Sequence, residues 1–192
     1  MKKNSLKFTL SLSVALFSFG VNAQDTRTDN HTISITVPEI ALLDIEPTAS
    51  KNITLGYTSP TEAGEPIIPG AANTSLWLNY SSIKSTADPL RTVSVKLSAV
   101  IPGVDIKVTA AAATGTGGGT LGLPSSTALI LTASDQTIIS GIGSAYTGNG
   151  ANNGHNLTYV LSSGGIGAIA NYADLEAASS TTITVTYTIS DI

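Results

Sequence analysis

Two segments of this chain alternate apolar and hydroxyl side chains almost without a break. One is Thr32-Ile33-Ser34-Ile35-Thr36-Val37. The other, close to the last residue, is Thr182-Ile183-Thr184-Val185-Thr186-Tyr187-Thr188-Ile189. Successive side chains of a strand point to opposite faces, so each segment can bury one face and wet the other. A helix, with a period of 3.6, gathers no such pattern on one side. Sheet edges are therefore expected at or near both ends of the domain, where another chain can pair.

Between these ends, strand-like stretches recur at short intervals: 39–46, 52–57, 75–80, 91–100, 104–110, 127–132 and 156–161, with the bracketing segments at 32–37 and 182–189. They are rich in Val, Ile, Thr and Tyr, which suit a pleated, half-buried surface. Ile101-Pro102-Gly103 reads as a turn, and it predicts a β-hairpin over 91–110. Breakers at 59–60, 66–70, 88–89, 115–122 and 148–154 read as loops. The best helical candidate, 172–178, is about two turns at most. Many short strands without crossover helices predict a single all-β antiparallel sandwich.

The first residues predict an export signal. Lys2, Lys3 and Lys7 precede an apolar run from 8 to 21, and Val21-Asn22-Ala23 places small residues where a signal peptidase cuts. The run is shorter than the ~20 residues a spanning helix needs, so no transmembrane segment is expected in the mature chain. Its domain would be 24–192, with 1–23 removed. Six basic residues then face thirteen acidic ones, a formal charge of −7. Such a surface repels nucleic acid and anionic lipid. The lysine-rich start suggests a bacterial source, with the periplasm or cell surface as destination. There is no cysteine, so packing and backbone hydrogen bonds must hold the fold without disulfides. All three phenylalanines lie in the signal, which leaves Val, Ile, Leu and Ala to build the core.

Motifs for chemistry are weak. Gly117-Gly118-Gly119-Thr120-Leu121-Gly122 fits a dinucleotide loop literally, but no helix pattern follows to hold a pyrophosphate, and it reads as a flexible loop. Ser81-Ser82-Ile83-Lys84 fits a serine–lysine motif without its partner elements. His31 and His155 read as solvated loop histidines, too distant to make a zinc site. Asp44, Glu46, Glu62 and Glu65 lack the spacing of a calcium loop and read as solvated charges. Sequons at Asn30, Asn52, Asn73, Asn79 and Asn156 arise easily in a chain so rich in Ser and Thr. Trp77 and Tyr80 read as core anchors rather than a sugar platform. The threonine arrays read as the wet face of ordinary strands rather than an ice-binding surface. No cofactor, metal or catalytic residue is expected, and no nucleophile–base pair points to a hydrolase.

The order of segments resembles a known family. The alternating 32–37 leads into Leu42-Leu43-Asp44-Ile45-Glu46-Pro47 and Ile53-Thr54-Leu55-Gly56-Tyr57. That succession is similar to the start of chaperone–usher pilins, especially those without a disulfide. Val93-Ser94-Val95-Lys96-Leu97 resembles their middle strand. Asn156-Leu157-Thr158-Tyr159-Val160-Leu161 and Thr184-Val185-Thr186-Tyr187 resemble closing strands of pilin-like and spore-coat-U-like secreted domains. The resemblance implies an incomplete immunoglobulin-like sandwich that the N-terminal segment of the next subunit completes. In that scheme 24–37 holds the donor strand, with Ile33, Ile35 and Val37 as inserting side chains. Ile183, Val185, Tyr187 and Ile189 line the acceptor groove. The partners implied are other copies or related subunits, a periplasmic chaperone and an usher. The role implied is a structural or adhesive subunit of a fimbrium. The alternative is a monomeric, self-complemented sandwich that binds a glycan or protein through the loops at 115–122 and 148–154.

Overall fold

The structure, a computed structural model, describes residues 27–162, 170–178 and 180–192. The expected export signal, 1–23, lies outside the described residues. The chain divides into two units, 1–36 and 37–192. In the first, residues 27–36 carry no strand, and Ile33 and Ile35 are 74% and 81% exposed. Alternation alone does not make a strand, because the ladder of backbone hydrogen bonds requires a neighbour.

The second unit is all-β. Its strands are β1 (Ile40–Glu46), β2 (Tyr57–Thr58), β3 (Ile68–Pro69), β4 (Asn73–Ile83), β5 (Arg91–Leu97), β6 (Asp105–Ala110), β7 (Gly118–Pro124), β8 (Leu129–Ile130), β9 (Gln136–Tyr146), β10 (His155–Ser162) and β11 (Val185–Asp191). Every pairing is antiparallel. One layer runs β1-β4-β10-β6-β8 and the other β11-β5-β9-β7. They join where the end of β4 pairs with β9 at Ser81↔Tyr146 and Ser82↔Ala145. β2 and β3 form a separate short ribbon.

The period of two explains the core. Leu76, Leu78 and Tyr80 of β4, Val108 of β6 and Leu157 and Tyr159 of β10 are buried in one layer; Val93, Val95 and Leu97 of β5 and Ile139 and Ile142 of β9 are buried in the other. Each such side chain stabilises the fold by about 1.5–3 kcal/mol relative to leaving it in water. Trp77 falls on the opposite face of β4 and is only half-buried, so of the two expected anchors only Tyr80 is in the core.

Three expectations change. The hairpin over 91–110 does not form: β5 pairs with β9 and β11, while β6 pairs with β10 and β8. Its turn is present, with Val104 N–H donating to Ile101 O at 3.1 Å, but it carries the chain from one layer to the other. Alternation reports that a strand has one buried face; it does not distinguish strands paired side by side from strands facing across a core. The glycine-rich segment read as a flexible loop is largely β7. At Gly119, where φ is 86°, a Cβ would lie 2.2 Å from Ser144 O of the neighbouring strand. Glycine is there because the backbones approach closely. The helical candidate is a single 3₁₀ turn at Tyr172–Asp174. Among the described residues, no helix is long and apolar enough to cross a membrane.

Candidate functional site

β11 pairs with β5 alone, from Val185↔Leu97 to Asp191↔Arg91. Its other edge has no strand partner among the described residues, so a row of backbone N–H and C=O groups is left for another chain. Among the described residues β1 pairs only with β4, and it lies beside β11, in the opposite layer. The free edge of β11, with β1 beside it, is the candidate site.

Its floor is apolar and incompletely covered. Val185, Tyr187 and Ile189 point inward from β11, and Thr186, Thr188 and Ser190 point out. Ile183 precedes the strand, where Ser98 N–H donates to Thr184 O at 2.8 Å and Thr184 N–H donates to Ser98 Oγ at 3.0 Å. Leu43 and Ile45 of β1 and Ile53, Leu55 and Tyr57 after it are also partly buried against the core. By contrast Leu78, Val93, Val95, Val108 and Leu157 have no exposed surface. Coverage thus fails along the first and last strands, as it also does at Leu121 of β7 and Leu129 of β8, and is complete at the centre of β4, β5, β6 and β10.

Tyr187 is held from below. Its hydroxyl lies 2.6 Å from that of Tyr159, which is itself buried in the core. Burial pushes the Tyr159 hydroxyl up to about 12 and raises that of Tyr187 well above the ordinary 10. Both stay neutral at physiological pH, and the pair fixes the Tyr187 ring in the floor.

One end of the site is closed by Arg91, which is 1% exposed. Its Nε donates to Asp191 Oδ1 at 2.7 Å. Its Nη1 donates to Ile40 O at 2.8 Å, Ser82 Oγ at 3.0 Å and Ile83 O at 2.9 Å, and its Nη2 donates to Glu39 Oε1. A single guanidinium therefore ties the start of β1, the end of β4 and the end of β11 to the start of β5. Arginine suits this task because it keeps its charge and presents donors in a planar fork. The carboxylates of Glu39, Asp88 and Asp191 come together here, but the cation among them is Arg91. Asp44 and Glu46 turn instead to local backbone, accepting from Ile45 N–H and Thr48 N–H at 2.8 Å each.

The predicted donor residues fall outside any strand, and Val37 is 70% exposed. The four predicted acceptor residues share one face of the site. Sequence reasoning missed Arg91, whose single signal was a charge at the head of an alternating strand.

His155 corrects an expectation. It is the first residue of β10 and is fully buried, not solvated. Nδ1 lies 2.8 Å from Ala111 O, an acceptor, so Nδ1 carries a proton. Nε2 lies 2.9 Å from the Tyr80 hydroxyl, which also reaches Leu121 O. Burial lowers the imidazole below its ordinary 6.5, partly offset by the carbonyls of Ala111 and Leu121. The pair pins β10, β4 and β7 together. His31 is exposed. Ser81 of the serine–lysine motif stands in β4 rather than at a helix start, and the sequon at Asn79 is 5% exposed, out of reach of a glycosyltransferase in the folded chain.

No family model, curated protein or solved structure matches this chain.

Proposed function

We propose that this protein is a pilin-like structural subunit of a bacterial surface polymer, exported and then assembled by β-strand addition. Segment 32–37 of one copy completes the sandwich of the next. The observation that carries this reading is the lone pairing of β11 with β5 beside a row of half-covered apolar side chains. A strand laid along that edge gains main-chain hydrogen bonds, and its alternate side chains set the register.

Ile33, Ile35 and Val37 supply three apolar side chains at every second position, as Val185, Tyr187 and Ile189 do on β11. On a strand such positions recur about every 6.6 Å, so the two rows are commensurate. Covering each exposed donor side chain contributes at most ~1.5–3 kcal/mol. A residue before proline favours extended backbone, which suits Val37 to the end of a donor strand. Donation to another copy makes a head-to-tail contact, and such contacts propagate as open filaments. Delivery by a periplasmic chaperone and usher belongs to the same reading, and none of it requires a catalytic group.

The test compares the chain without residues 1–23 with its Ile33→Arg/Ile35→Arg variant, by size-exclusion chromatography with light scattering. The parent chain is expected to form oligomers that grow with concentration. The variant should be monomeric and folded, and it should melt at a lower temperature than the assembled parent, which gains the inserted strand. A peptide spanning 30–38 should raise the melting temperature of the variant and cap the oligomers of the parent. A parent chain that stays monomeric at every concentration and ignores the peptide would overturn the proposal.

A further inference from the structure

We propose that a second site, a cleft on the outer face of the sandwich, binds a neutral saccharide. It shares β1 with the strand-addition site but uses that strand's outward residues, Leu42 and Asp44, and neither β11 nor segment 32–37. The cleft has a volume of about 360 Å³ and lies where β1, β4, the end of β9 and the following loop meet. The residues that matter are Leu42, Asp44, Asn79, Ser81, Tyr146 and Asn149.

Tyr146 makes the platform. It is the last residue of β9 and pairs with Gly118 of β7. A Cβ at Gly118 would come within 3.2–3.3 Å of the Tyr146 hydroxyl and ring, so the absence of a side chain there lets the ring rest on the neighbouring strand. Tyr146 nevertheless remains 57% exposed, and Leu42, which pairs with Ser81 from the β1 side as Tyr146 does from the β9 side, is 65% exposed. Large apolar side chains left open in one cleft, on either side of Ser81, form a face for a ligand.

The polar groups around this face are fixed. Asp44 stands opposite Asn79 in the β1–β4 register. Its carboxylate accepts from Ile45 N–H at 2.8 Å and lies 3.5 Å from Thr48 Oγ1, with acceptor capacity to spare. Asn79 is 5% exposed; its Nδ2 donates to Asn153 O at 2.7 Å, and its Oδ1 has no hydrogen-bond partner among the described residues. Reversing the amide would set its oxygen against Asn153 O, so the orientation is determined. A buried acceptor left unpaired is costly, and Asn79 is one of the residues that line the cleft. The loop that carries Asn149 is tied down by hydrogen bonds. Asn153 Oδ1 accepts from Thr116 N–H at 3.0 Å and Thr116 Oγ1 at 3.2 Å, while its Nδ2 donates to Asn149 O at 2.9 Å. Preorganisation of this kind lowers the entropy lost on binding.

A pyranose has one C–H-rich face and a rim of hydroxyls. An open aromatic and an aliphatic side chain match the face, and a carboxylate and two amides match the rim. No Lys or Arg lines the cleft, and Asp44 carries its one charge. A sialic or uronic acid would set carboxylate against carboxylate, so the ligand is neutral.

Saturation-transfer NMR tests this on the full chain, whatever its oligomeric state. The probes are the methyl glycosides of glucose, galactose, mannose and N-acetylglucosamine, with N-acetylneuraminic acid as the anionic control. Transfer to ring C–H protons of at least one neutral glycoside is expected, with a dissociation constant near ~1 mM. Tyr146→Ala and Asp44→Asn should each weaken it about tenfold or more with unchanged melting curves, and Tyr146→Phe should retain it. No transfer from any neutral glycoside, equal transfer in Tyr146→Ala, or stronger transfer from the anionic sugar would overturn the proposal.

Discussion

Replacing Arg91 tests the closed end of the site most directly. Arg91→Met keeps much of the buried volume and removes the cation. Three acceptors then lose their donor: Ile40 O, Ser82 Oγ and Ile83 O, at 2.8–3.0 Å. Each hydrogen bond from the charged guanidinium contributes about 1.5–3 kcal/mol net, with more lost where the stranded acceptor stays dry. The two carboxylates behave differently. Glu39 and Asp191 are 45% and 46% exposed, so water rehydrates them, and each pairing counts for about 1 kcal/mol or less. Removing a buried arginine also relieves its own desolvation, which offsets part of the loss. Together these place Arg91→Met at about 3–4 kcal/mol of destabilisation, whereas Glu39→Gln and Asp191→Asn should cost about 1 kcal/mol or less each. Urea unfolding of the three variants in the monomeric Ile33→Arg/Ile35→Arg background supplies the comparison. If Arg91→Met loses under about 1 kcal/mol, or Glu39→Gln loses as much as Arg91→Met, the buried carbonyls are not what Arg91 secures.

Folding lowers the affinity of His155 for a proton, so stability is fully present above 6.5 and declines on acidification toward the lowered folded value. Urea midpoints at about pH 7.5 and about pH 5 should differ accordingly, and His155→Gln should flatten that difference. Tyr187→Phe strands the buried Tyr159 hydroxyl and should cost about 1–2 kcal/mol, while the double Phe variant should cost less than the two single changes added, as a double-mutant cycle would read. Gly119→Ala should destabilise by about 2 kcal/mol or more in thermal unfolding, since φ is 86° and the new Cβ would collide with Ser144 O.

Most of the strands were legible in the sequence. β1, β4, β5, β6, β10 and β11 each overlap a stretch that it marks, and in β5, β10 and β11 burying one face writes itself directly into alternate residues. β9 was not legible. Ile138 and Ile139 are adjacent and both buried, and the pairing with β5 shifts register twice, so bulges erase the alternation, while Gly141 and Gly143 imitate a loop. β7 was hidden for a related reason: its glycines answer to the closeness of Ser144 and Ser140 on another strand, which composition reads as flexibility.

The residues of the site divide in the same way. Val185, Tyr187 and Ile189 announce a half-buried last strand by their spacing alone. That β11 has a neighbour on one side and, among the described residues, none on the other is a property of strand order, set by which layers the chain crosses between at 101–104. Arg91 and His155 are further cases. A charge or an imidazole in a string of letters looks like a solvated group. Only packing brings five acceptor atoms to one guanidinium and a tyrosine to one ring, because those partners come from positions 8 to 100 residues away. Local periodicity thus determined which residues face inward, and the long-range pairing decided which edges stayed open and which polar groups were sealed.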